Sequence, residues 1–158
     1  MINTEKEITK TLSPHGFRRK RTYWYKEFSE VIPYLHLQKA YHGGSAFLNV
    51  CALFPELDPE KLRKWGSPHL FCRLTIEHTG ALRKSSSISD EERISILKEE
   101  LETLAIPLLN GMTDKISTRN LLYRGFVQLY PLVTVEAQKL LDYSPVKRNS
   151  QRDISSRQ

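Results

Sequence analysis

The chain offers few residues whose types and spacing are typical of catalysis. Cys51 and Cys72 both lie in apolar runs, which favours buried free thiols over reactive ones. A nucleophilic pair of Cys72 with His36 on neighbouring strands stays open as an alternative. Glycine-rich phosphate loops and nucleophile elbows are not found, and the histidines lack the close spacing of metal ligands. We therefore expect no metal and no cofactor. The histidines that lack this close spacing are His36, His42, His69 and His78.

A second group of polar residues occupies every second position of its run, as the residues on one face of a strand do. Tyr34, His36 and Gln38 alternate with apolar residues, and Arg73 and Glu77 share a face of a later run. If the two faces coincide, the sheet presents a polar concavity. It is either a solvated face with cross-strand pairs or a binding surface for a peptide, protein or small ligand. An enzyme with an unrecognised site around His36, Gln38 and Arg73 is a further alternative.

The densest positive charge lies near the N-terminus, among aromatic residues. Basic residues fill Arg18–Arg21, and the aromatic run Tyr23–Tyr25 follows after Thr22. Charges on such a strand are typical of a sheet edge, where they prevent edge-to-edge aggregation. The same pattern also suits nucleic acid, with phosphates on the cations and bases stacked on the rings. Arg19, Arg21 and Tyr23 are the binding candidates here.

Four strands are predicted around these residues. β-branched and aromatic residues are frequent in each run, and proline, glycine or short polar segments separate the runs. The two glycines within His42–Ser45 supply the backbone freedom that a turn requires. The predicted strands are Phe17–Phe28, Val31–Tyr41, Phe47–Phe54 and Leu70–Thr79.

Helices are predicted before, between and after the strands. Ser89 and Glu92 have the spacing of a capping box, and leucines then recur every three or four residues to Leu108. Asp58 followed by Pro59 is a typical helix start. The predicted helices are about Glu5–Leu12, Asp58–Trp65, Ser89–Asn110, Ile116–Phe126 and Val133–Tyr143. The sequence therefore predicts an α+β fold: a four-stranded antiparallel sheet, with an N-terminal helix and C-terminal helices packed mainly on one face.

Length and charge indicate one domain with a basic tail. A chain of 158 residues suits a single domain, predicted over residues 1–143, followed by a disordered tail over Ser144–Gln158. Half of the formal net charge of +6 lies in that tail, so the domain itself argues only weakly for polyanions. Neither a bilayer-length apolar segment nor a signal peptide is visible, so we expect a cytoplasmic protein and no membrane partner.

Several short motifs resemble the bacterial domain of unknown function 4304 family. They include Gly16–Lys20 after Leu12, then Tyr23–Tyr25, Leu37–Lys39, Phe47–Val50 and Arg73-Leu74, within a similarity from about Leu12 to Leu109. The resemblance implies a small, bacterial, intracellular protein without an established activity. Some relatives look like immunity proteins, which bind and neutralise a toxin. Gln38, Asn49 and Arg73 fall on the patterned polar positions of the family.

These observations favour a non-enzymatic binding protein. A protein partner, such as a toxin, bound through the sheet face is the first hypothesis. Nucleic-acid binding through the basic aromatic strand is the second, and an enzyme is the third. The candidate binding residues are Arg19, Arg21, Tyr23, Tyr34, His36, Gln38 and Arg73. The sequence does not indicate an oligomeric state.

Overall fold

The computed structural model describes residues 2–126 and 128–145. The side chains of Glu77 and His78, and all but the first two residues of the predicted tail, lie outside this description. The strands are β1 (Arg18–Lys20), β2 (Tyr23–Tyr25), β3 (Ile32–Lys39), β4 (Ala46–Leu53), β5 (Leu70–Arg73) and β6 (Leu132–Val133). The α-helices are α1 (Thr4–Leu12), α2 (Asp90–Glu100), α3 (Ile106–Gly111), α4 (Lys115–Arg124) and α5 (Val135–Leu141). A π-helical turn, Leu101–Ala105, joins α2 to α3 without a break.

The fold is α+β, built on an open antiparallel sheet with the strand order β1-β2-β3-β4-β5-β6. Each strand pairs with its neighbour in the chain, and the β3–β4 pair is the longest. The connections β2–β3 and β3–β4 are short, which matches the hairpins predicted from the polar breaks, whereas β4–β5 and β5–β6 are joined by longer segments. The core elements of the predicted fold are therefore present.

The two sheet faces have different surroundings. One face forms the main core, where Trp24, Leu35, Val50 and Cys72 pack in one apolar cluster with residues from every α-helix. The opposite face forms a smaller cluster, to which none of the helices in the described part of the chain contributes. We call this second surface the open face. Its cluster contains Ile32, Tyr34, Cys51 and Leu53, with Tyr23, Tyr25, Trp65 and Phe71 packed against it.

The predicted number of strands is wrong, because the sheet that residues 2–126 and 128–145 form has six strands rather than four. The predicted first strand is two short strands, and Arg21 makes the turn between them with a φ of 56°. A positive φ is uncommon outside glycine, so sequence patterns did not indicate this turn. The sixth strand, Leu132–Val133, falls where a helix was predicted to begin.

Two predictions around the fourth strand are also wrong. The segment after Leu57 is irregular rather than helical, with Lys61 and Arg63 in the left-handed region. Both oxygens of Asp58 accept backbone hydrogen bonds, from Leu62 and from Arg63, which holds the irregular conformation in place of a helix cap. We call residues 58–69 the strap.

The predicted fourth strand is too long. β5 ends at Arg73, and a 3₁₀ turn replaces the second half of the predicted strand.

The helices agree better with the sequence. Ser89 caps α2 by accepting a hydrogen bond from the backbone of Glu92, as its spacing predicts. α1 begins at Thr4, one residue before its predicted start at Glu5, because the side chain of Asn3 caps the helix by accepting the bond from the backbone of Lys6. None of the helices within the described ranges is long and apolar enough to cross a bilayer.

Candidate functional site

Polar residues cross the open face in one line. The register aligns Tyr23 of β2 with His36 of β3, His36 with Asn49 of β4, and Asn49 with Arg73 of β5. Residues directly opposite each other in antiparallel strands project to the same side of the sheet. Four neighbouring strands thus place these side chains on one surface, and Gln38 lies one step along β3 from His36. The predicted coincidence of the two polar faces is present, except for Glu77, whose side chain is not described.

A hydrogen-bonded triad organises the Arg73 end of this line. Nε of Arg73 donates to Oδ1 of Asn49 at 3.2 Å, and Nη2 donates to Oε1 of Gln38 at 2.9 Å. Nδ2 of Asn49 donates to the same Gln38 oxygen at 3.0 Å. The guanidinium also lies 4.2 Å from the ring centroid of Phe47 and 5.8 Å from that of Phe71. Its orientation is therefore fixed by two amides and two aromatic rings.

Among the described side chains, no carboxylate neutralises the charge of Arg73. Asn49 beneath it is fully buried, whereas Arg73 itself is half-buried. A planar guanidinium that is held in place, with unused N–H donors, matches a carboxylate or phosphate oxygen pair. The triad can therefore hold an anion at the surface of the sheet.

The other end of the line is aromatic. The rings of Tyr23 and His36 stack with centroids 4.4 Å apart, and Trp65 from the strap stacks on Tyr23 at 5.9 Å. Trp65 also lies 5.0 Å from the ring of Tyr25. Burial lowers the pKa of His36 below its ordinary value, so the imidazole is neutral at physiological pH. This end of the open face offers flat rings and hydrogen-bonding groups rather than charge.

Tyr34 lies beneath the aromatic end rather than at its surface. The side chain is fully buried, and its hydroxyl donates a 2.5 Å hydrogen bond to the backbone carbonyl of Trp65. Burial raises the pKa of this phenol above its ordinary range, with Cys51 as a smaller contribution. Tyr34 therefore anchors the strap to the sheet, and as placed it cannot contact a partner.

The two arginines predicted on the first strand point elsewhere. Arg19 pairs with Trp24, which faces the main core, and its guanidinium forms an ion pair with Glu5 of α1. Arg21 lies in the turn, where its carbonyl accepts a 2.7 Å bond from Nε of Arg19. Trp24 is fully buried and donates from Nε1 to the hydroxyl of Thr9. The structure thus does not bring Arg19 and Arg21 together with Tyr23.

The cysteines and His36, the remaining candidates for catalysis, do not form a reactive pair. Cys51 belongs to the open-face cluster and Cys72 to the main core, so the two free thiols lie on opposite sides of the sheet. Burial raises the pKa of the Cys72 thiol to about 12 and also raises that of Cys51, which keeps both protonated. His36 lies on the face opposite Cys72. Within the described residues there is no group of three potential metal ligands.

Sequence reasoning missed several residues of the open face. Asn49 was noted only through the family resemblance, although a single polar residue inside an apolar strand is itself a signal of a buried hydrogen bond. No sequence pattern singles out Phe47, Phe71 and Leu132, because the pairing register of the strands is what places them on the open face. Trp65 was placed in a helix. Leu132 is 69% exposed and pairs with Phe71, so it extends the open face as an apolar patch beside Phe71.

A comparison of the sequence with known families finds a match over most of the sheet. The family described as a domain of unknown function, DUF4304, matches residues 8–111, which is more than half of the chain. The chain belongs to this family. All strands of the line that ends at Arg73 lie within the matched residues. Comparisons with curated proteins and with solved structures find no match.

Proposed function

We propose that the protein acts by binding, and that its open face recognises an acidic segment of a protein partner. The observation that supports this proposal is Arg73, a half-buried cation that Gln38 and Asn49 hold in place and that no described carboxylate neutralises. An aspartate or glutamate of the partner would complete its charge through two parallel N–H···O bonds.

The surroundings of Arg73 favour a protein partner over an isolated small anion. Leu132 and Phe71 offer apolar surface on one side, and Tyr23 and Trp65 offer aromatic surface on the other. Interfaces between proteins are enriched in arginine, tyrosine and tryptophan at the positions that contribute most to affinity, and the surrounding contacts exclude water from them. Such a partner would present one carboxylate flanked by apolar residues.

A toxin that is neutralised by this protein is the form of partner that we propose first. An inhibitor of this kind needs a preformed surface and no catalytic group, and the triad and strap are preformed by their own hydrogen bonds. The second support is the family resemblance of the sequence, which implies that some relatives look like immunity proteins. The products of adjacent genes are therefore the first partners to test.

The proposal is tested with the purified protein and each candidate partner. We expect a 1:1 complex, and we expect Arg73→Gln to weaken it by about tenfold or more, because an arginine at an interface centre contributes about 2 kcal/mol or more. Arg73→Lys keeps the charge but loses the planar guanidinium, so its affinity should lie between those of wild type and Arg73→Gln. Arg124→Gln, an exposed arginine of α4, is the control. Equal affinity of wild type and Arg73→Gln would refute the assignment.

Nucleic acid is a second candidate, favoured by one observation. Arg18 and Lys20 lie on the open face in register with Tyr25 and Tyr23, and the guanidinium of Arg18 is 5.1 Å from the ring centroid of Tyr25. A cation beside an aromatic ring suits single-stranded nucleic acid. Binding of this kind should weaken steeply with salt and with Lys20→Gln, while absent or salt-insensitive binding removes the candidate. An ion pair of Arg18 with Glu27, at 3.4 Å, partly offsets the positive potential of this surface.

A further inference from the structure

A cleft lies on the helix side of the sheet, away from the open face. Its volume is about 690 Å³, within the range of ligand pockets. The start of α1, the end of β3, the turn between β3 and β4 and the loop 80–88 enclose it. None of the residues of the Arg73 triad lines this cleft, so it is a separate candidate site.

The walls of the cleft are held together by hydrogen bonds. The backbone of Ala46 donates to the carbonyl of Leu82 at 3.0 Å, and that of Lys84 donates to Gly44 at 2.7 Å. Ser45 and Arg83 form an isolated antiparallel bridge between these bonds. The loop therefore pairs with the hairpin turn as a short extra strand would, and the cleft is preformed.

A buried arginine fixes the other side of the same loop. Arg93 of α2 is only 8% exposed, and its guanidinium donates to the carbonyls of Ala81 at 2.8 Å, Ser86 at 3.0 Å and Ile88 at 3.2 Å. These acceptors carry no formal charge. Burying a guanidinium is costly unless its donors are satisfied, and here carbonyl groups satisfy them. The positive charge of Arg93 thus remains in the wall of the cleft.

The balance of charge around the cleft is positive. Four basic and two acidic side chains line it. Of the acidic ones, Glu5 is already bound to Arg19 and Lys39. Asp90 lies one turn before Arg93 and makes the electrostatic potential of the cleft less positive. Arg83 and Lys84 are exposed at the rim, and no carboxylate within the described residues pairs with either.

The floor of the cleft is apolar. Ile2, Leu37, Ala46, Leu82 and Ile88 line it, and Leu37 and Leu82 are buried in the main core below. We propose that this cleft binds a small amphiphilic anion, with its carboxylate at Arg83 and Lys84 and its hydrocarbon chain along the floor. A chain on the floor removes apolar surface from water, and the two cations bind the head group.

The test uses a dansyl-labelled undecanoic acid as the fluorescent probe and the full chain as the protein. We expect saturable binding that decanoate displaces. Decanol, which lacks the charge, and acetate, which lacks the chain, should each be at least about tenfold weaker competitors. Equal competition by decanol, or no displacement by decanoate up to about 1 mM, would overturn the proposal.

Substitutions locate the site. Arg83→Gln combined with Lys84→Gln should weaken decanoate by about tenfold or more and leave decanol unchanged. The matched control is Arg124→Gln combined with Lys139→Gln, which removes the same charge from exposed positions that do not line the cleft. Loss of affinity in the control as well would show a general charge effect and would overturn the assignment. This test does not involve the open face, so its outcome is independent of Arg73.

Discussion

Arg73 and Gln38 are 35 positions apart in the sequence, yet Nη2 of Arg73 donates a 2.9 Å hydrogen bond to Oε1 of Gln38. They lie on β5 and β3, and the side chain of Asn49 on β4 connects them from below. The antiparallel register is what brings a cation and two amides to one point. Because Asn49 is fully buried, it is the member of the triad whose loss should affect folding most.

Replacing Asn49 by leucine should destabilise the protein by about 1–3 kcal/mol, because Nε of Arg73 then loses its acceptor in a partly buried site. The free energy of unfolding from urea titrations measures this. Asn120→Leu, at an exposed position of α4, is the control and should change stability by less than about 0.5 kcal/mol. A cost for Asn49→Leu as small as that of the control would mean that the triad does not stabilise the fold.

The bond from Tyr34 to Trp65 should connect the stability of the strap to pH. Burial raises the pKa of Tyr34 in the folded protein, so the stability that this group contributes is present below its unfolded pKa of about 10 and is lost above it. Tyr34→Phe should cost about 0.5–1.5 kcal/mol at neutral pH and flatten the alkaline loss. Stability measured between pH 8 and about 11 provides the comparison.

Tyr41→Phe is the matched control, because Tyr41 is 97% exposed. It should leave both the neutral stability and the alkaline slope unchanged. An alkaline slope that is the same in wild type and Tyr34→Phe would show that Tyr34 ionises equally in both states, contrary to its burial.

The parts of the fold that sequence patterns predicted are those set by local chemistry. The hairpin from β3 to β4 and the helix start at Ser89 follow from turn residues and a capping side chain. The helix after Ser89 also contains Pro107, which has no N–H and would clash with a carbonyl in a regular turn. The wide turn Leu101–Ala105 precedes it and avoids that clash.

The parts that sequence patterns did not predict depend on tertiary contacts. The strap carries a valid helix start at Asp58 and Pro59, but packing of Trp65 on the tyrosines of the open face and the backbone bonds to Asp58 oppose a helix. Of the candidate site, His36, Gln38 and Arg73 were placed together because period-two patterns fix a face. Arg19 has the same period-two position as Tyr23 in one predicted strand, but it lies on the opposite face of the sheet because a turn at Arg21 reverses the chain.

His69 should make the protein less stable in mild acid. Its Nδ1 accepts a 2.9 Å bond from the backbone of Phe54, which requires the neutral ring. Burial lowers the pKa of His69, although Asp58 and Glu136 oppose this. A pKa that is lower in the folded state means that the stability is present above the unfolded pKa of about 6.5 and is lost as pH falls through the folded value.

His69→Asn keeps an acceptor near Nδ1 but cannot be protonated, so it should reduce the loss of stability between about pH 7 and 5. Unfolding by urea at several pH values measures the slope. His15→Asn, at an exposed position, should keep the wild-type slope. A slope for His69→Asn that equals the wild-type slope would assign the acid sensitivity to other groups, among them His36.

Arg93 should control the accessibility of the loop 80–88. Its guanidinium holds three carbonyls of this loop, and Arg83 and Lys84 within it are exposed cleavage sites for trypsin. Arg93→Met leaves those carbonyls without their charged donor, at a cost of about 1.5–3 kcal/mol for one such bond. If the closed form of the loop is destabilised by this amount, trypsin should cleave after Arg83 and Lys84 about tenfold faster or more.

Two variants serve as controls for this prediction. Arg124→Met should be cleaved at the wild-type rate, and Arg93→Lys, with fewer donors, should be cleaved at a rate between those of wild type and Arg93→Met. Slow cleavage at Arg83 in Arg93→Met would mean that the backbone bonds to Gly44 and Ala46 hold the loop without the arginine.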